Sequence, residues 1–259
     1  MSDVHTDSMT RLESEVKRLE DQFDLMTKNI GYILHPSVAA SLPRTPRVAD
    51  IGTGTGRFLL LRESYPYAKL DGTDVYDAKQ SPPSDLHGKC DLVHVRMLVA
   101  AMLRGDRDTV VRNLCQLLKP GGFLQWEESD FIYCRYIRAN VDSRVESARL
   151  MGYSFRDALR LRFSHGWFTL PNKMRDAGLT TVQSDIVSSD RLAETRKNTT
   201  LNAMQAIFSW ARLMIERGIP GSMSPEELGS MEKKIYEDFE SGCYVRYDIY
   251  VACGQKLFN

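Results

Sequence analysis

Apolar residues in the first forty positions recur at alternating intervals of four and three residues. They are Leu12, Val16, Leu19, Phe23, Met26, Ile30 and Ile33, and this spacing places them on one face of a helix about three heptads long. We interpret residues 1–40 as a helical N-terminal extension that lies on the remaining chain or over its pocket. A coiled coil that joins two copies into a homodimer is the alternative. Pro36, Pro43 and Pro46 then end the pattern.

From residue 41 onward, short apolar runs alternate with helical stretches. The predicted strands are 47–52, 68–74, 90–96, 123–128, 180–187 and 244–253, and the clearest predicted helices are 57–65, 106–118, 170–178 and 199–217. Strands that alternate with helices are typical of a parallel α/β sheet with crossover connections. We assign 41–259 to one domain, which carries a helical insertion at about 188–243.

The composition argues against several classes of protein. The 259 residues include 34 Lys+Arg and 34 Asp+Glu, and a net charge of zero argues against nucleic acid as a partner. The apolar runs are much shorter than the roughly 20 residues that cross a bilayer, and the charged N-terminus does not resemble a secretory signal. Five scattered cysteines without a C-x-x-C pair predict reduced thiols and no metal site. We expect a cytoplasmic protein with a small-molecule substrate and no membrane partner.

The stretch VADIGTGTG, residues 48–56, is the most informative in the chain. A predicted strand is followed by Gly52, Gly54 and Gly56 at a spacing of two, directly before a helix. Glycines allow positive φ angles and let a ligand lie against bare backbone. The spacing differs from the G-x-G-x-x-G of dinucleotide-binding folds, and no G-K-[ST] of phosphate-binding loops follows it. The acid at Asp50 suits a ligand with a cationic group rather than a phosphate.

VADIGTGTG resembles motif I of the class I S-adenosylmethionine (SAM)-dependent methyltransferases. LLKPGGFLQWEE (117–128) is similar to the turn and fifth strand of that family, and YVRYDIYVACGQK (244–256) to its closing strand. The resemblance covers roughly residues 45–255. The segments DQFDLMTKNIGYILHP, DLVHVRMLVAAM and LQWEESD most resemble the fungal small-molecule methyltransferases of secondary-metabolite clusters.

The resemblance implies a fold and a cofactor. It implies a Rossmann-like sheet of seven strands in the order 3-2-1-4-5-7-6, with the last strand antiparallel and helical lid additions at both ends of the chain. SAM would lie across the carboxyl ends of strands 1, 2 and 4, as expected at a topological switch point, and S-adenosylhomocysteine would be the product.

The resemblance also implies which residues hold the cofactor. The glycine turn would flank the methionine part of SAM, and Asp50 would orient the turn or the SAM amino group. Asp74 would accept both ribose hydroxyls, and Asp77 resembles the acid that binds the adenine amino group. The complete set is Asp50, Gly52, Thr53, Gly54, Gly56, Asp74, Asp77, Ala78, Val95 and Arg96.

The segment after the second predicted strand is unexpectedly short. Only residues 75–90 separate Asp74 from Asp91, whereas a crossover helix takes a dozen or more residues before the next parallel strand begins. Three interpretations remain open: a segment omitted from the sequence as read, a deletion that removes strand 3, or a short loop. Because strand 3 is an edge strand in the family order, its loss would weaken the adenine pocket without destroying the core.

Methyl transfer from a sulfonium is an in-line displacement on a donor that is already activated. Positioning of the acceptor can therefore supply roughly 7–11 kcal/mol of barrier reduction, and a general base about 10²–10⁴-fold in rate. The candidate bases are His94, Glu127 and Glu128, although a lone strand histidine is more often a packed residue. Adjacent strand residues face opposite sides, so at most one of the two glutamates should face the ligand. The predicted substrate contacts are Tyr32, Met97, Trp126, His165 and Phe208.

We therefore expect a SAM-dependent methyltransferase that modifies an O, N or S nucleophile of a small apolar metabolite, mainly by positioning. The alternative is a methyltransferase-fold protein that does not methylate, either as a degenerate subunit of a complex or as a pericyclase-type catalyst. The glycine spacing argues against an NAD-dependent reductase. The sequence leaves the acceptor atom and the oligomeric state open.

Overall fold

The computed structural model describes residues 13–73 and 77–258. Its strands are β1 (Arg47–Ile51), β2 (Lys69–Thr73), β3 (Cys90–Arg96), β4 (Leu118–Ser129), β5 (Arg135–Arg138), β6 (Leu179–Ser188), β7 (Cys243–Arg246) and β8 (Asp248–Lys256). Its α-helices are α1 (Glu13–Ile30), α2 (Pro36–Ala39), α3 (Asp106–Leu117), α4 (Glu146–Phe163), α5 (Leu170–Asp176), α6 (Arg196–Glu216) and α7 (Pro225–Glu240). In the described ranges, no helix combines the length and apolar character that a membrane span requires.

Six strands form the central sheet, in the order β2-β1-β3-β4-β8-β6. The strands β2, β1, β3 and β4 run parallel, whereas β8 is antiparallel to both of its neighbours. The α/β class expected from the sequence is confirmed. In the described part of the chain the sheet has six strands, whereas the resemblance implies seven, and β2 forms its edge there.

The short segment before β3 forms a loop instead of a helix and strand. Residues 77–89 contain a single 3-10 turn at Ser84–Leu86. The loop ends against α3, where the N–H groups of Gly88 and Lys89 donate to the carbonyls of Gln116 and Leu117, each at 2.9 Å.

Two other predicted elements differ from the structure. The helix predicted at 57–65 is a 3-10 helix over Arg57–Glu63, and Pro66 prevents its continuation. The single strand predicted at 244–253 is two strands, β7 and β8, separated at Tyr247. The chain leaves one sheet for the other there because Tyr247 instead pairs with Ser189, through a backbone bond of 2.9 Å and a bond to the Ser189 hydroxyl of 3.0 Å.

The two faces of the central sheet differ in polarity. One face packs apolar residues such as Val93, Val95 and Leu124 against α3 and α5. The opposite face begins with apolar residues but becomes polar toward the carboxyl ends of the strands. The polar side chains are Asp50 on β1, His94 and Arg96 on β3, and Gln125 and Glu127 on β4, and all five are buried. Buried polar side chains need hydrogen-bond partners, so this row of five residues is a candidate functional site.

The N-terminal helix α1 covers this polar face and is anchored to the helical insertion. The Asn29 side chain donates to Thr195 at 3.0 Å, and Arg191 donates to the Asn29 carbonyl at 2.7 Å. Asn202 of α6 donates to the Arg18 carbonyl at 2.6 Å. Of the predicted N-terminal extension, Glu13–Ile30 form α1, and residues 1–12 lie outside the described residues. The homodimer stays a prediction.

Candidate functional site

The glycine turn leaves β1 with a backbone that side chains would oppose. The φ angles of Gly52, Gly54 and Gly56 are 70°, 54° and 74°, in the left-handed region where an L-residue is strained. The turn closes with a bond of 2.8 Å from the Gly56 N–H to the Thr53 carbonyl. A Cβ added to Gly54 would meet no atom within 4 Å. The turn therefore leaves open space on the Cβ side of Gly54.

A cavity of about 110 Å³ lies between this turn and α1. Ligand sites usually enclose roughly 300–1,000 Å³, so this cavity is smaller than a typical site for a nucleoside-sized ligand. The lining residues come from α1, the turn and the end of β3: Leu19, Gln22, Phe23, Asp50, Gly52, Thr53, Gly54, Thr55, Arg57, Phe58, His94, Arg96 and Met97.

Four buried ionisable side chains form a network beneath the turn. The Nδ1 atom of His94 lies 2.6 Å from a carboxylate oxygen of Asp50, and its Nε2 lies 3.7 Å from Glu127. Arg96 forms an ion pair with the other oxygen of Glu127. The network links β1, β3 and β4, and the exposure of its members ranges from 0% to 9%.

The charges in this network balance when His94 is protonated. Burial alone lowers the pKa of His94, but the hydrogen bond to Asp50 and the negative charges of Asp50 and Glu127 outweigh it and raise that pKa above its ordinary value. Burial tends to raise the pKa of Glu127, but the nearby charges of Arg96 and His94 leave that pKa lowered. Two carboxylates then face two cations.

Neutral neighbours fix the orientation of these charged groups. Phe58 stacks on the His94 ring with centroids 3.6 Å apart and planes 4° from parallel. Gln125 donates to Glu127 at 2.6 Å and to the Ile33 carbonyl at 2.9 Å. Sequence reasoning missed Phe58 and Gln125, because an aromatic and an amide in core-like patterns carry no sign of a site.

Arg96 also connects the network to α1. Its guanidinium donates to the Phe23 carbonyl at 3.2 Å and to the Thr27 hydroxyl at 2.9 Å, and it lies 4.0 Å from the centre of the Phe23 ring. A second contact joins Asp24 to Arg57 on the turn side, at 2.7 Å. The helix therefore covers the site through specific polar contacts as well as apolar packing.

The end of β3 has an unusual backbone. Met97 has φ 57° and ψ 40°, a left-handed conformation that is rare and costly for a residue with a side chain. The next N–H, of Leu98, donates to Glu128 at 2.7 Å, and Trp126 donates to the same oxygen at 2.9 Å. Burial raises the pKa of Glu128 to about 8, although these donors oppose the shift. Glu128 thus lies on the face opposite Glu127, as the strand alternation predicts.

The remaining predicted cofactor residues lie around the same edge of the sheet. Thr53 has a buried hydroxyl, and that atom has no hydrogen-bond partner in the described part of the chain. Val95 is fully buried in the core, so its side chain does not line the cavity. Asp77 is exposed on the loop after β2, and Ala78 beside it is buried. Asp74 lies outside the described residues.

Of the predicted substrate contacts, only Met97 lines the cavity. Tyr32 donates to Asp185 on β6, at the far edge of the sheet, at 2.6 Å. Trp126 and His165 pack with Trp167 in the core beneath α3, where burial and the charge of Arg107 lower the pKa of His165 to about 4. Phe208 is buried among the insertion helices. The spacing of apolar residues predicts which face of a helix or strand is buried. It does not predict which apolar cluster that face packs in.

The fold, the glycine turn and the covered polar edge agree with a match of this sequence to a protein family. A family described as methyltransferase domain matches residues 19–184, more than half of the chain, and the chain belongs to this family. The match includes the glycine turn, β3, β4 and most of α1. The resemblance inferred from VADIGTGTG and LLKPGGFLQWEE is thereby confirmed.

Individual relatives are fungal. The methyltransferase grgD of Penicillium sp is 36% identical over 145 residues, which are 46% of this chain and 50% of that protein. The secondary metabolism regulator LAE1 of Gibberella fujikuroi is 26% identical over 179 residues, 60% of this chain and 55% of that protein. The chain thus spans about half the length of these curated relatives.

A solved structure of Haemonchus contortus phosphoethanolamine N-methyltransferase 2 in complex with S-adenosyl-L-methionine superposes with a TM-score of 0.48 at 12% identity. The superposition covers 98% of this chain and 59% of that one. The assignment of the family rests on the sequence match.

Proposed function

We propose that this chain binds SAM and transfers its methyl group to an O, N or S nucleophile of a small apolar metabolite. The observation that carries the proposal is the glycine turn itself, with three glycines at positive φ and open space where a Gly54 side chain would lie, in a chain of the methyltransferase family. The turn lies at the carboxyl end of β1. The strands β2 and β3 lie on opposite sides of β1 in the sheet, and ligands bind at such switch points in open α/β sheets.

The residues around the turn suit the cofactor. The three glycines let the amino-acid end of SAM approach the backbone, and the buried, unpartnered hydroxyl of Thr53 offers a further polar contact. Asp74 and Asp77 are proposed for the ribose and the adenine. When bound, SAM supplies a sulfonium whose methyl carbon is electrophilic.

The reaction needs alignment more than acid–base chemistry. Methyl transfer to the acceptor would also release the acceptor proton, which a base or water would take up. His94 and Glu127 are engaged with Asp50 and Arg96, and Glu128 with Leu98. These contacts support positioning roles for the three residues, which hold the turn and the end of β3 in place.

Apolar side chains near the ends of β3 and β4, Met97 and Phe131, support an apolar acceptor. Phe131 follows β4 and lies 5.5 Å from Tyr247 between ring centres, and Met97 and Phe131 both pack between the two main apolar clusters. Asp130 stands beside them, 6% exposed, and one of its carboxylate oxygens has no partner among the described residues. Burial and the nearby charge of Asp248 raise the pKa of Asp130 to about 6, so it is ionised at neutral pH and suits proton acceptance.

Two glycine variants with the same backbone strain test cofactor binding. A Cβ at Gly54 (φ 54°) would extend into the proposed site, whereas one at Gly218 (φ 59°), after α6, would also meet nothing within 4 Å but is remote from the turn. We expect Gly54→Ala to weaken binding of SAM and S-adenosylhomocysteine at least about tenfold by titration calorimetry. Gly218→Ala should lower the melting temperature similarly and leave binding unchanged.

Other outcomes distinguish the rival function. Folded wild-type protein that gives no heat with either ligand favours a methyltransferase-fold protein that does not methylate. Equal binding by wild type and Gly54→Ala would place the ligand elsewhere. A cytoplasmic location and a homodimer remain expectations.

A further inference from the structure

Asn113, in the middle of α3, bonds to a loop more than thirty residues earlier in the chain. Its side-chain Nδ2 donates to the carbonyl of Ala78 at 2.9 Å and to the carbonyl of Gln80 at 2.7 Å. The side chain is only 7% exposed, so water is a poor substitute for these partners. Both hydrogens of the amide therefore serve one short segment of backbone.

That segment, residues 77–80, is a turn with fixed geometry. The Gln80 N–H donates to the Asp77 carbonyl at 2.8 Å, and the Lys79 N–H donates to the Asp77 carboxylate at 3.0 Å. The Ala78 side chain is 5% exposed and packs in the apolar core under α3. Asp77 itself is exposed. The turn thus binds to α3 on its inner side and presents a carboxylate on its outer side.

The turn is also connected to the glycine turn. Lys79 donates to the carbonyl of Ala101, at the end of the 3-10 helix Leu98–Ala101, at 3.2 Å. At the start of that helix, Leu98 lies so close to Gly52 that an added Cβ there would be 3.2 Å from its side chain. No described strand flanks β2 on its outer side. The turn therefore takes its support from α3, where the Asn113 side chain donates to two of its carbonyls.

We propose that Asn113 is a positioning residue that sets the selectivity of the site for adenine. The inference rests on the proposed function, in which the Asp77 carboxylate accepts a hydrogen bond from the adenine amino group. Hypoxanthine carries a carbonyl oxygen at that position, and two acceptors repel each other. A carboxylate held in place rejects hypoxanthine, whereas one on a loose turn moves aside and tolerates it.

Titration calorimetry with two ligands tests the proposal. The ligands are S-adenosylhomocysteine and S-inosylhomocysteine, in which hypoxanthine replaces adenine. We expect the wild type to prefer the adenine compound at least about tenfold. Asn113→Leu and Asn113→Asp both remove the amide donor at nearly constant size, and each should reduce the preference to about twofold or less. Asn198→Leu, at an exposed position of α6, is the control and should keep the wild-type ratio.

The ratio of the affinities for the two ligands distinguishes a positioning role of Asn113 from a role in stability alone. If Asn113 only stabilises the fold, its variants lower the melting temperature and weaken both ligands equally, and the unchanged ratio overturns the inference. The Asp variant keeps the experiment decisive if the Leu variant does not fold. A wild type that binds both ligands equally also overturns the inference but leaves the proposed function intact. A wild type that binds neither overturns both.

Discussion

The imidazole of His94 lies 2.6 Å from the carboxylate of Asp50, directly beneath the turn that leaves β1. The two side chains are 1% and 5% exposed, so this is a contact of the protein interior. Phe58 covers the imidazole on one side, and Glu127 approaches its other nitrogen. The base of the glycine turn is therefore held by charge and hydrogen bonding where a methyltransferase would need it fixed.

The first prediction concerns the pH dependence of stability. The folded-state pKa of His94 is raised above its usual value of about 6.5. The stabilisation by protonated His94 is thus complete below that unfolded value and is lost as the pH rises through the folded-state pKa. We expect His94→Gln to lower the free energy of unfolding by about 3–5 kcal/mol at mildly acidic pH, and by progressively less at higher pH.

Denaturant unfolding of wild type and variant across this pH range measures the difference. His87, on an exposed loop, provides the matched control, and His87→Gln should show no such trend. A cost of His94→Gln that stays constant with pH would contradict the proposed protonation.

The second prediction concerns the buried ion pair between Arg96 and Glu127. Glu127→Gln leaves a guanidinium buried without its counter-charge, and we expect a loss of about 3–5 kcal/mol in the free energy of unfolding. The double variant Arg96→Met with Glu127→Gln should recover part of that loss, because no unpaired cation remains. A double-mutant cycle in urea measures the coupling.

The exposed pair between Lys197 and Glu240, at 3.1 Å, is the control for this cycle. Both of its side chains are largely exposed, so its coupling should be no more than about 1 kcal/mol. Equal coupling energies for the two pairs would show that burial of the Arg96–Glu127 pair does not strengthen its interaction.

The third prediction concerns α1 and its contact with the glycine turn. The ion pair between Asp24 and Arg57 is partly exposed, so Asp24→Asn should cost no more than about 1 kcal/mol of global stability. It should nevertheless speed hydrogen exchange in the turns of α1 around Asp24, because this contact anchors the helix next to the cavity.

Mass spectrometry after hydrogen exchange measures the effect by segment. Exchange in β3 and β4 serves as the internal control and should not change. High salt should speed α1 exchange in the wild type and have little effect in the variant. Uniformly faster exchange over the whole protein would argue against a local role for this contact.

The fourth prediction concerns the pH dependence of activity. If Asp130 accepts the acceptor proton, turnover rises with pH through about 6, the pKa to which burial raises that carboxyl. Asp130→Asn should lower kcat about 10²-fold or more and remove this acid limb, with little change in the affinity for SAM. Asp248→Asn, at the neighbouring but more exposed acid, should keep the limb and shift it to lower pH, because a negative charge is removed.

Sequence reasoning predicted the strands that carry the site and the turn that opens it, because alternation and glycine spacing are local signals. It could not predict the pairing of His94 with Asp50, which depends on β3 lying next to β1. It predicted Tyr32 as a substrate contact but gave no sign of the hydrogen bond that Tyr32 donates to Asp185, because that bond depends on where β6 lies in the sheet. Asn113 was missed because one polar residue in an amphipathic helix resembles a surface position.

The row of polar side chains under α1 also has a consequence for folding. Asp50 is opposite His94, His94 is opposite Gln125, and Arg96 is opposite Glu127 in the pairing of the strands. A slip of one residue in any of these strands would turn its charged side chains to the apolar face and leave them unpaired there. A shifted register therefore costs more free energy here than in a sheet whose strands carry only valine and leucine. The same residues that shape the site favour one alignment of the strands around it.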